Sequence, residues 1–263
     1  MLVSAAGSVW TTDFALGGVV RIDPRTTKAV RRIAVPGRPF GLAYGAGSLW
    51  VADRDDNVLT RINERTNRVM GKIAIGFQNY AAAFAAGSVW VTSEADGTVR
   101  RISPKTNRVM QTIKVGTRPN GVAYAFGALW VADLGSGDLV RVDVRTNRVR
   151  AKIKIPGADW ITASPDALWV STETGRVVRV DPARGRVVAR VRVGANPLAS
   201  AWVRGRLWVP NIDSSTVSIV DPAANAVRAT RRAGKGPLAI VAAAGDLWIS
   251  NSEDGTVWKV RPS

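Results

Sequence analysis

The side chains best suited to chemistry sit in six short segments spaced by about forty residues: PGRPFG with Arg38 and Phe40, GFQNY with Gln78, Asn79 and Tyr80, GTRPNG with Arg118 and Asn120, PGADWI with Asp159 and Trp160, GANPLA with Asn196, and GKGPLA with Lys235. Aromatic rings beside amides and a few charges suit recognition of a small polar or aromatic ligand, the rings giving an apolar wall and the polar groups fixing orientation. They do not suit nucleophilic catalysis. The chain has neither histidine nor cysteine, which removes the commonest general base, the commonest metal ligand and any thiolate. Only Asp, Glu, Tyr and Lys remain for acid–base work. No nucleophile motif, phosphate loop or Cys/His metal cluster occurs. The run Asp53-Arg54-Asp55-Asp56-Asn57 offers closely spaced carboxylates to a hard cation, but it lacks the turn glycine and distal glutamate of a calcium loop and reads as a turn. The expected ligand-binding set is therefore Arg38, Phe40, Asn79, Tyr80, Arg118, Asn120, Trp160 and Asn196, with Asp53 and Asp133 beside them, and no catalytic residue, metal ligand or cofactor. The prolines and glycines of these segments also fix tight turns, so turn formation alone is the competing explanation.

The elements that must position these residues are set by a repeat. Trp10, Trp50, Trp90, Trp130, Trp169, Trp208 and Trp248 recur at intervals of 39 or 40 residues, within GSVWTTD, GSLWVAD, GSVWVTS, GALWVAD, DALWVST, GRLWVPN and GDLWISN. Each copy reads as four short strands joined by turn signals. In the second copy these are GLAYGA, SLWVAD, VLTRIN and RVMGKIAI. Apolar residues on both faces of the Trp strand require a sheet sandwiched between neighbours, and radial repetition of such sheets is a β-propeller. The Ala- and Gly-rich first strand fits the crowded axis. The expected fold is all-β, one seven-bladed propeller domain over 1–263, with blades at approximately 1–36, 37–76, 77–116, 117–156, 157–194, 195–234 and 235–263. The fourth strand appears only six times, so the last blade is expected to lack its outermost strand. That would leave Val257 to Val260 as an open edge with Trp258 poorly covered. Residues before Met1 are the expected source of such a strand, which would make the chain a piece of a longer protein; a native three-stranded blade is the alternative.

The formal charge is +17, carried mostly by 29 arginines against 8 lysines. Such a charge attracts polyanions in a salt-dependent way, but it also follows from a compositional bias toward Arg and Ala. Acidic residues concentrate in the joints after the Trp strand (Asp13, Asp53, Asp55, Asp56, Glu94, Asp96, Asp133, Asp138, Glu173, Asp213, Glu253 and Asp254), whereas most basic residues lie on the third and fourth strands. The expectation is an acidic top face and a basic rim, with nucleic acid or another polyanion as a candidate partner at that rim and a small polar ligand, peptide or protein at the top. Aromatics that could stack on bases are missing from the basic strands, Trp258 excepted. No apolar run is long enough to span a bilayer, and no signal peptide opens the sequence. A monomer is expected, and the compartment is left open.

The phrase G-x-L-W-V-A-D, followed by V-x-R-I-D-P-x-T-x-x-V and I-x-V-G-x-x-P-x-G, resembles the YVTN/NHL-type propellers, especially the virginiamycin B (streptogramin B) lyase-like and YncE-like proteins. The resemblance covers essentially the whole chain but rests on scaffold residues. It implies either a binding scaffold or sensor domain, some relatives touching DNA and many being exported, or a magnesium-dependent lyase that opens a cyclic depsipeptide lactone. The lyase histidines have no counterpart here. Positions three after each repeat Trp (Asp13, Asp53, Ser93, Asp133, Thr172, Asn211 and Asn251) lie near where such a site would be built, and none is Glu. The resemblance therefore favours the non-catalytic scaffold and keeps the lyase, with Tyr80 or a funnel carboxylate as base, as the alternative.

Overall fold

The computed structural model describes residues 1–262 and contains strands and turns only. Seven antiparallel sheets follow one another in chain order, six of four strands and the last of three, each a simple up-and-down meander. In the second blade the strands are Pro39–Gly45, Ser48–Asp53, Val58–Asn63 and Val69–Ala74, from axis to rim. This is the seven-bladed propeller that the tryptophan repeat requires. The last blade ends at Thr256–Val260, where Trp258 is 41% exposed.

The repeat tryptophans are all buried, none more than 3% exposed. Trp50 packs with Leu59, Ile73 and Ile75 of its own blade against Val89, Val91 and Ile102 of the next, and equivalent clusters seal the other blade interfaces. The core is thus a ring of interfaces, and truncating one such Trp would cost on the order of 3–5 kcal/mol. The Gly in the repeat phrase makes the tight turn into the Trp strand. At Ala46-Gly47 both residues have positive φ, 51° and 64°, as a two-residue hairpin with matching twist demands. Glycine takes that conformation without strain.

The indole N–H of Trp10, Trp50, Trp90, Trp130 and Trp248 donates to the backbone carbonyl five residues earlier, at 3.0–3.3 Å. Above the ring lies an arginine from the third strand. Arg61 sits 4.8 Å from the Trp50 centroid, donates to Ser48 Oγ at 2.9 Å and reaches the next blade at Pro104 O (2.7 Å) and Asn107 Oδ1 (2.9 Å). Arg21, Arg101 and Arg179 repeat the cross-blade contact, and Lys259 closes the ring by donating to Pro24 O at 2.8 Å. Many donors of the third-strand basic residues are therefore engaged in bracing blades, although their acceptors are neutral and the positive charge remains.

The acidic top ring is also less acidic than composition suggests. Asp13 pairs with Arg32, Asp96 with Arg100, and Asp138 with Lys154 at 3.4 Å, joining top-face joints to the rim. Among the described residues no helix is long and apolar enough to cross a membrane.

Candidate functional site at the top of the channel

Five of the seven inner strands enter the channel through a β-bulge. The register skips one residue between Pro39 and Gly41, between Ala158 and Trp160, and between Pro237 and Ala239, and shifts likewise between Asn79 and Ala82 and between Pro119 and Val122. A bulge re-aims the unpaired side chain. The residues so treated are Phe40, Tyr80, Asn120, Asp159 and Leu238, and their backbone is clamped by the preceding blade. Thr92 Oγ1 donates to Asn120 O at 2.6 Å and Thr12 Oγ1 to Phe40 O at 3.4 Å, and in blade six Ser171 Oγ donates to Leu198 O at 2.8 Å. The next position converges on the axis and is small nearly everywhere. A Cβ at Gly41 would lie 2.5 Å from Tyr80 O, and one at Gly121 would lie 2.6 Å from Asp159 O. Trp160 is the departure from this rule in the later blades, and its half-buried ring extends to 6.4 Å from the ring of Tyr80, two blades away.

The rings form a continuous run. Phe14 meets Phe40 edge-on at 6.2 Å, Phe40 lies 4.6 Å from Tyr80, and Tyr80 continues to Trp160. Guanidinium groups cover the run from above: Arg38 is 4.0 Å from the Phe14 centroid, and Arg54 is 5.6 Å from Phe40 and 5.0 Å from Tyr80. Each arginine also has an acid. Arg54 pairs with Glu94 at 3.0 Å, Arg118 with Glu173 at 3.4 Å and Arg38 with Asp55 at 3.7 Å.

Asp159, beside the aromatic run, has no cationic partner at ion-pair distance among the described residues. It is 6% exposed, and its carboxylate accepts from Asn120 Nδ2 at 2.8 Å. Burial pushes its carboxyl up to about 6, reinforced by Glu173 and Glu94 and opposed by the Asn120 bond and Arg118. Burial likewise raises Glu94, with Arg54 opposing. Burial and the nearby Asp159 charge hold the Tyr80 hydroxyl protonated, so Tyr80 is a poor base. Beside Asp159, the buried Oδ1 of Asn120 accepts no hydrogen bond from any described residue.

Of the expected site residues, the structure brings Phe40, Tyr80, Asn120 and Trp160 together, with Arg38 and Arg118 at the mouth. It places the others elsewhere. Asn79 is fully buried and donates to Asp53 O and Gly76 O. Asp53 and Asp133 are fully buried as well: Asp53 accepts from the amides of Asp55 and Asp56, Asp133 from those of Thr117 and Arg118. These carboxylates cap turns under the loops. Asn196 bonds Asp213 at 3.3 Å on an open cleft of about 570 Å³ across the mouth, lined also by Glu173 and Arg192. Phe14, Arg54, Glu94 and Glu173 are absent from the expected set. All four stand four residues after a repeat Trp, so that column of the repeat held the signal.

A magnesium site of the lyase kind does not fit these residues. The carboxylates nearest its expected place are engaged by turn amides, and among the described residues no three acidic side chains converge.

No family model and no curated protein sequence matches the chain. In shape it is similar to hydrazine synthase of Kuenenia stuttgartiensis, with a TM-score of 0.86 over 98% of this chain and 93% of that one, at 15% identity. That likeness shows the propeller fold.

Proposed function

We propose that the chain is a non-catalytic binding propeller, of the YVTN/NHL kind its repeat phrases resemble, that takes a small ligand on the aromatic floor of its top face. The observation that carries this reading is Asp159, a buried acid with no cation, set beside an orphaned amide oxygen and the Trp160 and Tyr80 rings. A ligand that completes this arrangement has a flat apolar part for the rings and an N–H donor, most simply an ammonium group, for Asp159. Desolvation strengthens that charge-assisted hydrogen bond. The paired arginines would then order the floor and its rim and leave Asp159 to select the ligand.

The lyase alternative has weaker support, because Tyr80 resists deprotonation and the magnesium set is missing. A thermal-shift panel of aromatic amines, matched aromatic acids and neutral aromatics tests the proposal. Stabilisation by the amines alone supports it, and a response to the acids alone contradicts it.

A further inference from the structure

Blade six breaks the tryptophan brace, and the break opens a pocket. The position that holds arginine over Trp50, Trp90 and Trp169 is Ile219 here, paired directly with Trp208. Trp208 is 3% exposed, yet its Nε1 donates to no acceptor, unlike the repeat tryptophans described above. With the brace gone, a pocket of about 460 Å³ remains between the lower half of blade six and the last residues of blade seven. Its polar lining is almost entirely guanidinium. Arg231 has swung in from the outer strand to lie 5.8 Å from the Trp208 centroid, and Arg204 donates to Pro262 O at 2.7 Å. Arg206 pairs with Asp221 at 3.1 Å. Arg228 makes no hydrogen bond or close ion pair among the described residues, and its charge acts on Asp221 only at longer range. The rest of the wall is apolar, with Ile219 and the Trp208 face.

We infer that this pocket binds a small organic anion, an oxyanion group on a compact apolar body, with Arg228 as its principal counter-charge. The reasoning is chemical. Four guanidiniums line the pocket, and among the described residues the carboxylate beside them, Asp221, is paired with Arg206. Guanidinium matches planar carboxylate and phosphate oxygens in the same fork geometry, so either group fulfils the requirement. The apolar wall favours a ligand that carries more than the bare ion, and the volume lies within the range of small-molecule sites. This site is distinct from the aromatic floor on the opposite face.

The test follows the indole N–H signals of the ten tryptophans by NMR, with the Trp208 signal assigned as the one lost in Trp208→Phe. Phenyl phosphate, benzoate and inorganic phosphate are titrated in turn. The inference expects the Trp208 signal to move with phenyl phosphate or benzoate, whichever moves it more identifying the oxyanion. Inorganic phosphate should bind more weakly, and Arg228→Gln should weaken binding by about tenfold or more while leaving the other indole signals in place. No movement of the Trp208 signal at about 10 mM of either organic anion would overturn it, that being weaker than the millimolar end of useful affinity. So would a response unchanged by Arg228→Gln, or a short oligonucleotide that moves the signal at lower concentration than both organic anions.

Discussion

Asn120 and Asp159, on neighbouring blades, share one hydrogen bond at the mouth of the channel: the amide nitrogen donates to the carboxylate at 2.8 Å, and the amide oxygen, equally buried, is left without a donor. Burial shifts the protonation equilibrium of an acid held this way toward the neutral form. Its carboxyl titrates at about 6 in place of 3.8, so between those values the folded chain holds a proton that the unfolded chain has lost.

The sign of the consequence follows from that proton. Stability falls as pH rises through the window between the two values, because the unfolded state binds fewer protons there. Asp159→Asn keeps an oxygen for Asn120 and removes the buried charge. It is expected to be more stable than the wild type at neutral pH by roughly 2 kcal/mol, with the difference vanishing below about pH 4. Urea denaturation at both pH values checks this. Equal stability at neutral pH would mean that Asp159 is better solvated than its burial indicates.

The arginine brace is expected to be the strongest polar contributor at each blade interface. Arg61 covers Trp50 and bonds both its own blade and the next. Arg61→Ala removes these contacts together and is expected to cost about 2–3 kcal/mol, with Arg61→Lys retaining part of it. Denaturant midpoints of the two variants measure the ordering.

Two glycines should respond in opposite ways. Gly41→Ala drives a methyl against the Tyr80 carbonyl, 2.5 Å away, where two inner strands converge, and should cost roughly 2–3 kcal/mol. Gly71 lies on an outer strand, where the nearest atom to an added Cβ is Asn107 Nδ2 at 3.8 Å. Gly71→Ala should be neutral or stabilising by up to about 1 kcal/mol. Thermal melts of both variants distinguish them.

Trp258 marks the open edge. It is exposed on a strand, Thr256–Val260, that has no neighbour on its outer side. An exposed apolar edge templates pairing between chains. Trp258→Lys is expected to lower self-association measured by light scattering, while changing stability by less than about 0.5 kcal/mol.

The scaffold was legible because it repeats. Trp10 through Trp248 fixed the number of blades, and the Ala- and Gly-rich strands fixed which side faced the axis. The site was legible only in part. Phe40, Tyr80, Asn120 and Trp160 stand out from the small residues around them, and the bulges bring them together. Asp53 and Asp133 misled, since an acid in a turn looks the same in sequence whether it faces solvent or caps amides beneath a loop. Arg54, Glu94 and Glu173 were hidden for the opposite reason. They occupy a column whose residues vary from blade to blade, and only the radial arrangement shows that arginine of one blade meets glutamate of the next. The missing third-strand arginine beside Trp208 was present in the sequence as Ile219, but its meaning depends on knowing that an arginine of that strand lies over the ring in other blades.

The most direct measurement is a calorimetric titration of the wild type and of Asp159→Asn with tyramine at neutral pH and at about pH 5, on either side of the Asp159 transition. The account predicts saturable binding by the wild type at neutral pH, weaker by about tenfold or more at the acid pH and in the variant at both pH values. Binding of equal strength in the wild type and Asp159→Asn, or none by the wild type at neutral pH, would contradict it.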